Sequence, residues 1–432
     1  MKKLLFVFFL LLTMLRVNAE DYTKVYLNDD IDVALKNNID LETSRINIEI
    51  AKNQLKQANR LQNPSLDYFY FLGNSANSEP KQIGISQNVE IAKRLYRKNL
   101  AKSELSYATR KHDYTTFDLK MDVREAYIEL VAAKSILNTL QQQQELQEEL
   151  LEIAKNKVTN NNAPLIDVIQ AEIALNQMIA QVNTSKMLVK RSLAYFNKVI
   201  NVSDGQLYDS MDKLFAEENN FEEMLTPAPN ADFPNSSVIV NEALKTRFDI
   251  SLVKYDLDVA EKQLKVVMSQ RVPDLQFSGG YAYLPGSNSM SGSFEHGAYL
   301  GARLVNLPLF YNFSQEIENA KLKIKQSQLN LESVTNKAIK DVTASYERFL
   351  TSVENLNHYE EKIIAGSANL INISKESYEN GEIDIVSLIV MKQSYNSIII
   401  GYTQALTDYY NSWTNVLREV NNEKFMLKSE SI

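Results

Sequence analysis

The chain has 432 residues, a formal net charge of −8 and no cysteine. The absence of cysteine excludes disulfide bonds, thiol catalysis and a lipid-modified N-terminal cysteine. The acidic balance argues against a nucleic-acid-binding protein, which usually carries a basic face.

The N-terminal residues have the pattern of a secretory signal peptide. A positive start, Met1-Lys2-Lys3, precedes the apolar run Leu4–Leu12, and Val17-Asn18-Ala19 supplies a small residue for cleavage. We therefore expect a signal peptide over residues 1–19. The alternative, a membrane anchor, is disfavoured because the apolar run is too short to span a bilayer. No other segment approaches ~20 uninterrupted apolar residues, so no membrane-spanning helix is expected.

Two halves of the chain repeat one another. Ala34-Leu35-Lys36 matches Ala243-Leu244-Lys245, and further along Asn161 matches Gly381. We interpret this as a tandem duplication of about 200 residues, an architectural signal that outweighs local patterns. The expected organisation is a first repeat over residues 20–200, an acidic linker over 201–237, a second repeat over 238–425 and a polar tail over 426–432.

Each half is predicted to begin with one helix and two strands. The helices are expected over Ile31–Asn59 and Val238–Met268. Pro64 and Pro273 follow them and favour extended backbone at the entry to the strands. The four strands are predicted at residues 66–72, 82–91, 275–283 and 297–305.

The strands alternate between a large apolar face and a small or polar face, as Ile83 and Ile85 do with Gln82 and Gly84. Their length of roughly 9–11 residues suits a tilted membrane strand. Two ordinary hairpins packed on the helices are the alternative, and the signal peptide favours membrane strands. Four strands cannot close a barrel, and an open edge cannot lie in lipid. Three copies would supply twelve strands, an even number found in outer-membrane barrels.

A long helical hairpin is predicted to complete each half. Apolar residues recur at alternating spacings of three and four, the coiled-coil pattern, as in Leu119, Val123, Ala126 and Leu130. A helix from Ala92 to Lys157 would be about 100 Å long, which no compact domain requires.

The hairpins turn at tips near residues 160–168 and 379–388. Gly381 is expected in the left-handed conformation, and Asn161 stands in its place in the first tip. Asp384 and Asp167 are predicted to cap the helices that follow.

No catalytic constellation stands out in the sequence. His112, His296 and His358 are scattered, with no second ligand at metal-binding spacing, and a structural or solvated role is expected for each. No Gly-x-x-x-x-Gly-Lys phosphate loop occurs, so nucleotide hydrolysis is not expected. The protein is predicted not to be an enzyme and to need no cofactor or metal.

These features resemble the TolC-like outer-membrane efflux proteins. The resemblance rests on the order, spacing and duplication of several marks. They are the tip Tyr378–Leu388, its counterpart Ala163–Val168 followed by Gln170-Ala171-Glu172, the prolines before the strands, and Leu307-Pro308-Leu309-Phe310 after them. It covers essentially the whole mature chain.

The resemblance implies a mainly α-helical fold with a membrane β-barrel contribution. It implies a homotrimer with a twelve-stranded β-barrel in outer-membrane lipid and an α-helical barrel tunnel in the periplasm. Its tips would dock on a periplasmic adaptor fed by an inner-membrane pump of the RND, ABC or MFS type. The cargo would be small molecules, such as drugs or metal cations, or a type I secretion substrate. The segment Gln87–Arg94 is similar to the strand-to-helix junction of the heavy-metal-exporting branch.

The resemblance also identifies candidate residues for adaptor docking and for the gate. These are Asn161, Pro164, Asp167, Tyr378, Gly381, Glu382, Asp384 and Ser387. In some family members paired acidic residues just after the second tip form selectivity rings. Ser387 and Val390 occupy those positions here, so that ring is absent or displaced. The alternative function is a soluble periplasmic coiled-coil scaffold or adaptor without a membrane barrel.

Overall fold

The computed structural model describes residues 22–70, 81–201, 207–210, 227, 229, 231–283, 296–364 and 373–422. The predicted signal peptide and polar tail lie outside these residues. The chain divides into two compact units. One contains the described residues of Met1–Glu42, Thr115–Arg247 and Ala338–Ile432, and the other those of Thr43–Tyr114 and Phe248–Lys337.

Both halves of the chain contain two helices, two strands and a long helical hairpin in that order, and the first half also has the short strands β1 and β4. The first half has β1 Tyr22–Val25, α1 Leu27–Asn37, α2 Ile39–Ala58, β2 Ser65–Tyr70, β3 Lys81–Val89, α3 Lys93–Thr159, α4 Leu165–Ile200 and β4 Leu207–Ser210. The second half has α5 Ser236–Thr246, α6 Phe248–Ser269, β5 Asp274–Tyr283, β6 His296–Val305, α7 Ser314–His358, the helical residues 373–379 (α8) and α9 Ile385–Val420. A π-helical turn, Tyr359–Ile364, follows α7.

The single helix predicted at the start of each half is wrong, because both helices are broken. Asn38 and Arg247 have non-helical backbone at equivalent positions, and each amide donates a 2.9 Å hydrogen bond that closes the preceding helix. The Asn38 side chain accepts a hydrogen bond of 3.0 Å from the Leu41 amide and so begins α2. At the second break, the Thr246 hydroxyl donates to the Val420 carbonyl. Neither break contains a glycine or a proline, and a side-chain hydrogen bond is present at each.

Four strands form one antiparallel sheet in the order β2-β3-β5-β6. Ser65 pairs with Ser86, Ser86 with Ser278 and Ser278 with Gly301. The predicted strand 82–91 ends earlier, at Val89. Glu90 leaves the ladder and forms a 2.9 Å ion pair with Arg97 near the start of α3. Both β2 and β6 are edge strands among the described residues.

The two faces of the sheet differ as the alternation predicted. One face exposes large apolar side chains in the single chain, among them Leu66, Tyr68, Ile83, Ile85, Phe277, Tyr281, Leu300 and Leu304. On the other face, Ser86 and Gln276 are buried and hydrogen-bonded to each other at 3.2 Å. Soluble sheets usually bury their apolar face, so this sheet presents to its surroundings the side chains that avoid water.

Glycine allows close packing on the polar face. Gly84, Gly280 and Tyr299 are aligned across three strands. A Cβ atom on Gly84 would lie 2.0 Å from the Tyr299 hydroxyl oxygen, so the phenol occupies the space that a side chain would take. At the end of the sheet, the Lys93 ammonium forms a buried 2.7 Å ion pair with Asp274.

The sheet belongs to the unit that contains Thr43–Tyr114 and Phe248–Lys337. The unit that contains Thr115–Arg247 and Ala338–Ile432 is mainly helical and has an aromatic core. Phe349 on α7 lies 4.9 Å from the Trp413 ring and 5.7 Å from the Tyr409 ring, measured between centroids. On α3, the predicted apolar positions Leu119, Val123, Ala126 and Leu130 are all buried. α3 is 67 residues long, close to the predicted helix. No described helix combines the length and apolar character needed to cross a membrane.

The helices that lead away from the tips match in both halves. α4 and α9 each have 36 residues and end at an asparagine in the left-handed conformation, Asn201 and Asn421. The acidic linker, predicted over 201–237, contains the strand β4, which sequence reasoning missed. β4 pairs in parallel with β1, and its Tyr208 amide donates to the Asn197 side chain at 2.7 Å.

Candidate functional site at the helical tips

The two tips share one backbone turn. In the first, the Asn161 amide donates to the Val158 carbonyl at 3.0 Å, and the Asn162 amide to the Lys157 carbonyl at 2.8 Å. In the second, the equivalent amides of Gly381 and Glu382 donate at 3.1 and 2.8 Å. This is the Schellman ending of a helix, in which one residue takes positive φ. Asn161 has φ 59° and Gly381 φ 78°, so the left-handed conformation predicted for both is observed.

The helices after the tips begin differently. Asp384 caps α9, because its carboxylate accepts a 2.7 Å hydrogen bond from the Ser387 amide. The matching residue in the first tip is Pro164, whose side chain has no acceptor. The predicted capping role of Asp167 is therefore wrong. The turn places Pro164 at the cap position, so Asp167 falls in the first helical turn, where Ser387 stands in the second tip.

Tyr378 connects the two tips. Its ring is buried, with 3% of its surface exposed, in an apolar cluster that draws on both hairpins. The cluster consists of Leu150, Leu151, Ala154, Ala171, Ala174, Tyr378, Ile385, Leu388 and Ile389. The Lys157 ammonium lies 4.0 Å from the centre of the Tyr378 ring and donates to the Tyr378 carbonyl. Packing and a cation–π contact thus hold the first tip against the second.

The acidic groups of the tips have opposite electrostatic environments. Burial, and then repulsion from Asp384, raises the pKa of Asp167, while Lys157 opposes that shift. The hydrogen bond from Ser387 lowers the pKa of Asp384. Burial and the nearby Asp167 carboxylate raise the pKa of the Tyr378 hydroxyl. Three predicted site residues, Asp167, Tyr378 and Asp384, are therefore electrostatically connected.

An exposed apolar surface lies beside the first tip. Leu165, Ile166, Ile169 and Ile173 on α4 are each between 44% and 65% exposed. Val386 and Val390 on α9 are also exposed. Sequence reasoning did not identify these residues as an exposed apolar surface, although apolar residues spaced by three and four were a usable signal. We call the four α4 residues the tip stripe.

A buried cation near the tips was also missed. Lys392 on α9 is 7% exposed, and its ammonium donates to the Leu146 carbonyl at 2.9 Å. Burial lowers the pKa of Lys392 to about 8. The equivalent residue of the first half, Glu172, is exposed. Nothing in the local pattern separates a buried lysine from a solvated one.

The remaining candidate residues of the tips are more accessible to solvent than Tyr378. Glu382 and Val390 are exposed, and Ser387 is half-buried. His296 contacts the Tyr281 hydroxyl at 2.6 Å in the sheet, and His112 contacts Ser44 at 2.6 Å. Within the described residues, no group of three metal-ligating side chains is arranged to hold an ion.

Comparison with known proteins agrees with this architecture. Residues 239–420 match the family described as outer membrane efflux protein. Outer membrane protein TolC of Vibrio cholerae is 21% identical over 329 residues, covering 73% of this chain and 72% of that protein.

Solved structures share the fold over most of the chain. The CmeC outer membrane channel of Campylobacter jejuni superposes with a TM-score of 0.71 and 18% identity, covering 91% of this chain and 85% of that one. The open state of the MtrE outer membrane channel of Neisseria gonorrhoeae gives a TM-score of 0.70 and 15% identity, covering 93% and 90%. The resemblance and the fold class inferred from sequence are confirmed: the chain is similar to outer-membrane efflux proteins, TolC among them, and shares the fold of solved outer-membrane channels.

Proposed function

We propose that three copies of this chain form an exit duct that passes cargo from the periplasm through the outer membrane. The single observation that carries the proposal is the four-stranded sheet, which has an exposed apolar face and, among the residues that the structure describes, two unpaired edges. In lipid every backbone donor and acceptor needs a partner, so the edges must pair with other chains. Three copies supply twelve strands, which can close.

The duct is proposed to receive its cargo through the helical tips. The tip stripe offers apolar side chains in a row along one helix, the kind of surface that a helical partner covers. We assign it to a periplasmic adaptor that connects the duct to an inner-membrane pump of the RND, ABC or MFS type. The pump supplies the energy, and the duct contributes a path and a gate.

The proposed cargo is a small molecule, such as a drug or a metal cation, or a type I secretion substrate. The junction Gln87–Arg94, which resembles that of heavy-metal exporters, has a structural explanation. Lys93 pairs with Asp274, and the Arg94 guanidinium donates to the Asn59 carbonyl at 2.8 Å. These contacts fasten the sheet to the helices whatever the cargo, so the junction does not favour metal over drug export.

Membrane extraction and molecular mass test the proposal. The protein should stay with outer membranes after carbonate washing and have the mass of a trimer in detergent by light scattering. A water-soluble monomer released by carbonate would contradict the proposal. That result would favour the alternative, a soluble periplasmic scaffold, which the comparisons do not favour.

A substitution in the tip stripe tests docking separately. Ile166→Asp places a charge on the apolar surface and should reduce export in the native host without changing trimer mass. Ile166→Val keeps the surface apolar and should retain export. Full export by Ile166→Asp would remove the tip stripe from the docking site.

A further inference from the structure

A second exposed apolar segment directly follows the end of β6. Leu307, Leu309, Phe310 and Tyr311 are all exposed, and the Phe310 side chain is fully exposed. Four large apolar side chains within five residues are unusual on a solvated surface. We call residues 307–311 the anchor segment.

The anchor segment is held in place at both ends. Asn306 and Phe313, which flank it, both have positive φ, at 60° and 57°. The Asn306 side chain donates to the Asp274 carboxylate at 2.8 Å. On the other side, the Arg271 guanidinium donates to the Asn312 carbonyl at 2.7 Å. Phe310 is thus presented by a fixed turn, which reduces the entropy lost when it binds.

A groove of about 620 Å³ lies beside the start of β2. The end of α2, the chain before β2 and the start of α3 form it. Its lining includes Gln57, Ala58, Leu61, Arg97, Leu100 and Ala101. Leu61 is more than half exposed, and Arg97 is fixed across the groove by hydrogen bonds to the Ala58 carbonyl and to Glu90. An aromatic ring entering the groove would meet apolar side chains and a positioned guanidinium.

The sheet register places the anchor segment and the groove at the same end of the sheet. Ser65 at the start of β2 and Gly301 near the end of β6 are aligned across the four strands. The two features therefore lie at opposite edges of that end, separated by at least about 14 Å, the width of three strand spacings. Phe310 cannot fill the groove of its own chain across that width.

We propose that Phe310 of each copy inserts into the groove of the next copy. This inference rests on the proposed trimer, in which β6 of one copy pairs with β2 of its neighbour. That pairing brings the end of β6, and the anchor segment after it, against the start of β2 and the groove beside it. The partner is a second copy of this chain, and three such contacts close a ring of anchors at the rim of the barrel.

Disulfide trapping tests the contact, and the chain suits it because it has no cysteine. Phe310→Cys and Leu61→Cys, combined in one chain and oxidised in outer membranes, should convert most of the protein to covalent dimers and trimers. A disulfide requires Cβ atoms within about 4.5 Å, so trapping reports direct proximity. Each single variant should remain monomeric on a denaturing gel.

Ile46→Cys combined with Phe310→Cys is the matched control. Ile46 lies on α2 and is exposed to about the same extent as Leu61. It is about 18 Å from the groove end of that helix at 1.5 Å per residue, so no cross-link is expected.

Light scattering separates the possible failures. A trimer in detergent without a Phe310–Leu61 cross-link overturns the anchor inference and leaves the exit duct intact. A monomer overturns both. A fluorophore on Phe310→Cys that nitroxide lipids quench as strongly as one on Leu300→Cys would place Phe310 in lipid and also overturn the inference.

Discussion

The two helical tips have the same backbone and different side chains. Each ends its first helix with a Schellman turn closed by hydrogen bonds of nearly equal length. The first tip has Asn161, Pro164 and an exposed apolar stripe, whereas the second has Gly381, the capping Asp384 and the buried Tyr378. The two tips thus share the turn and differ in the surfaces beside it.

The divergence separates two tasks. The second tip contributes buried groups, Tyr378 and Lys392, at positions where the first half has the half-buried Val158 and the exposed Glu172. The first tip contributes the tip stripe. We infer that the second hairpin holds the two tips together and that the first presents the surface for a partner.

The largest effect is expected from truncating Tyr378. Tyr378→Ala removes a buried ring from the apolar cluster and the surface over which Lys157 lies, and should destabilise the tips by about 3–5 kcal/mol. Val158→Ala, at the equivalent position of the first tip, should cost clearly less. Hydrogen exchange of amides 376–390 measures both. Equal losses would contradict the division of tasks.

Replacing Lys392 by an apolar residue should stabilise the folded protein. Its pKa is lowered to about 8 by burial, so the folded state binds this proton less well than the unfolded chain does. Stability is therefore lost as the pH falls from the ordinary lysine pKa through the folded value, and the full penalty is present at pH 7. Lys392→Met should gain about 1–3 kcal/mol at pH 7.

The pH dependence distinguishes this cause from simple packing. The advantage of Lys392→Met should shrink as the pH rises from 8 towards the ordinary lysine pKa, so the gain in thermal midpoint should be much smaller at pH 10 than at pH 7. Glu172→Gln, the exposed equivalent, should change stability by less than about 0.5 kcal/mol at either pH. A gain by Lys392→Met that is independent of pH would exclude the buried charge as its source.

Substitutions of Gly381 test the backbone conformation of the second tip. A Cβ atom there would meet no atom within 4 Å, so any cost comes from the backbone conformation alone. Gly381→Val should cost about 1–2 kcal/mol, because a β-branched residue disfavours positive φ. Faster exchange of amides 378–384 and reduced export should result, with trimer mass unchanged. Gly381→Asn copies the first tip and should behave as the native protein; if it also failed, the equivalence of the turns would be wrong.

The smallest effect is expected at the cap. Asp384→Ala removes the acceptor for the Ser387 amide, and that amide should exchange faster. Because the pKa of Asp384 is lowered, the native cap contributes above the ordinary aspartate pKa and is lost as the pH falls through the folded value. Pro164→Ala should leave the Asp167 amide unchanged. A similar change at both amides would contradict the difference between the caps.

Local patterns predicted the parts of the structure that local physics decides. Positive φ at Gly381 and Asn161, the cap at Asp384 and the two faces of the sheet each follow from residue type and spacing. The breaks at Asn38 and Arg247 were not predicted, because ordinary residues form them through side-chain contacts. Strand β4 and the burial of Lys392 depend on partners far away in the chain, which no local window contains.

The central claim, that the protein is a duct, is tested most directly by its electrical conductance. The purified full-length protein, added to a planar lipid bilayer, should produce stepwise ion currents. They should favour cations if Asp167, Glu382 and Asp384 from three copies surround the entrance. Heat-denatured protein should produce none. A native trimer that inserts into the bilayer and passes no current at any applied voltage would contradict the claim.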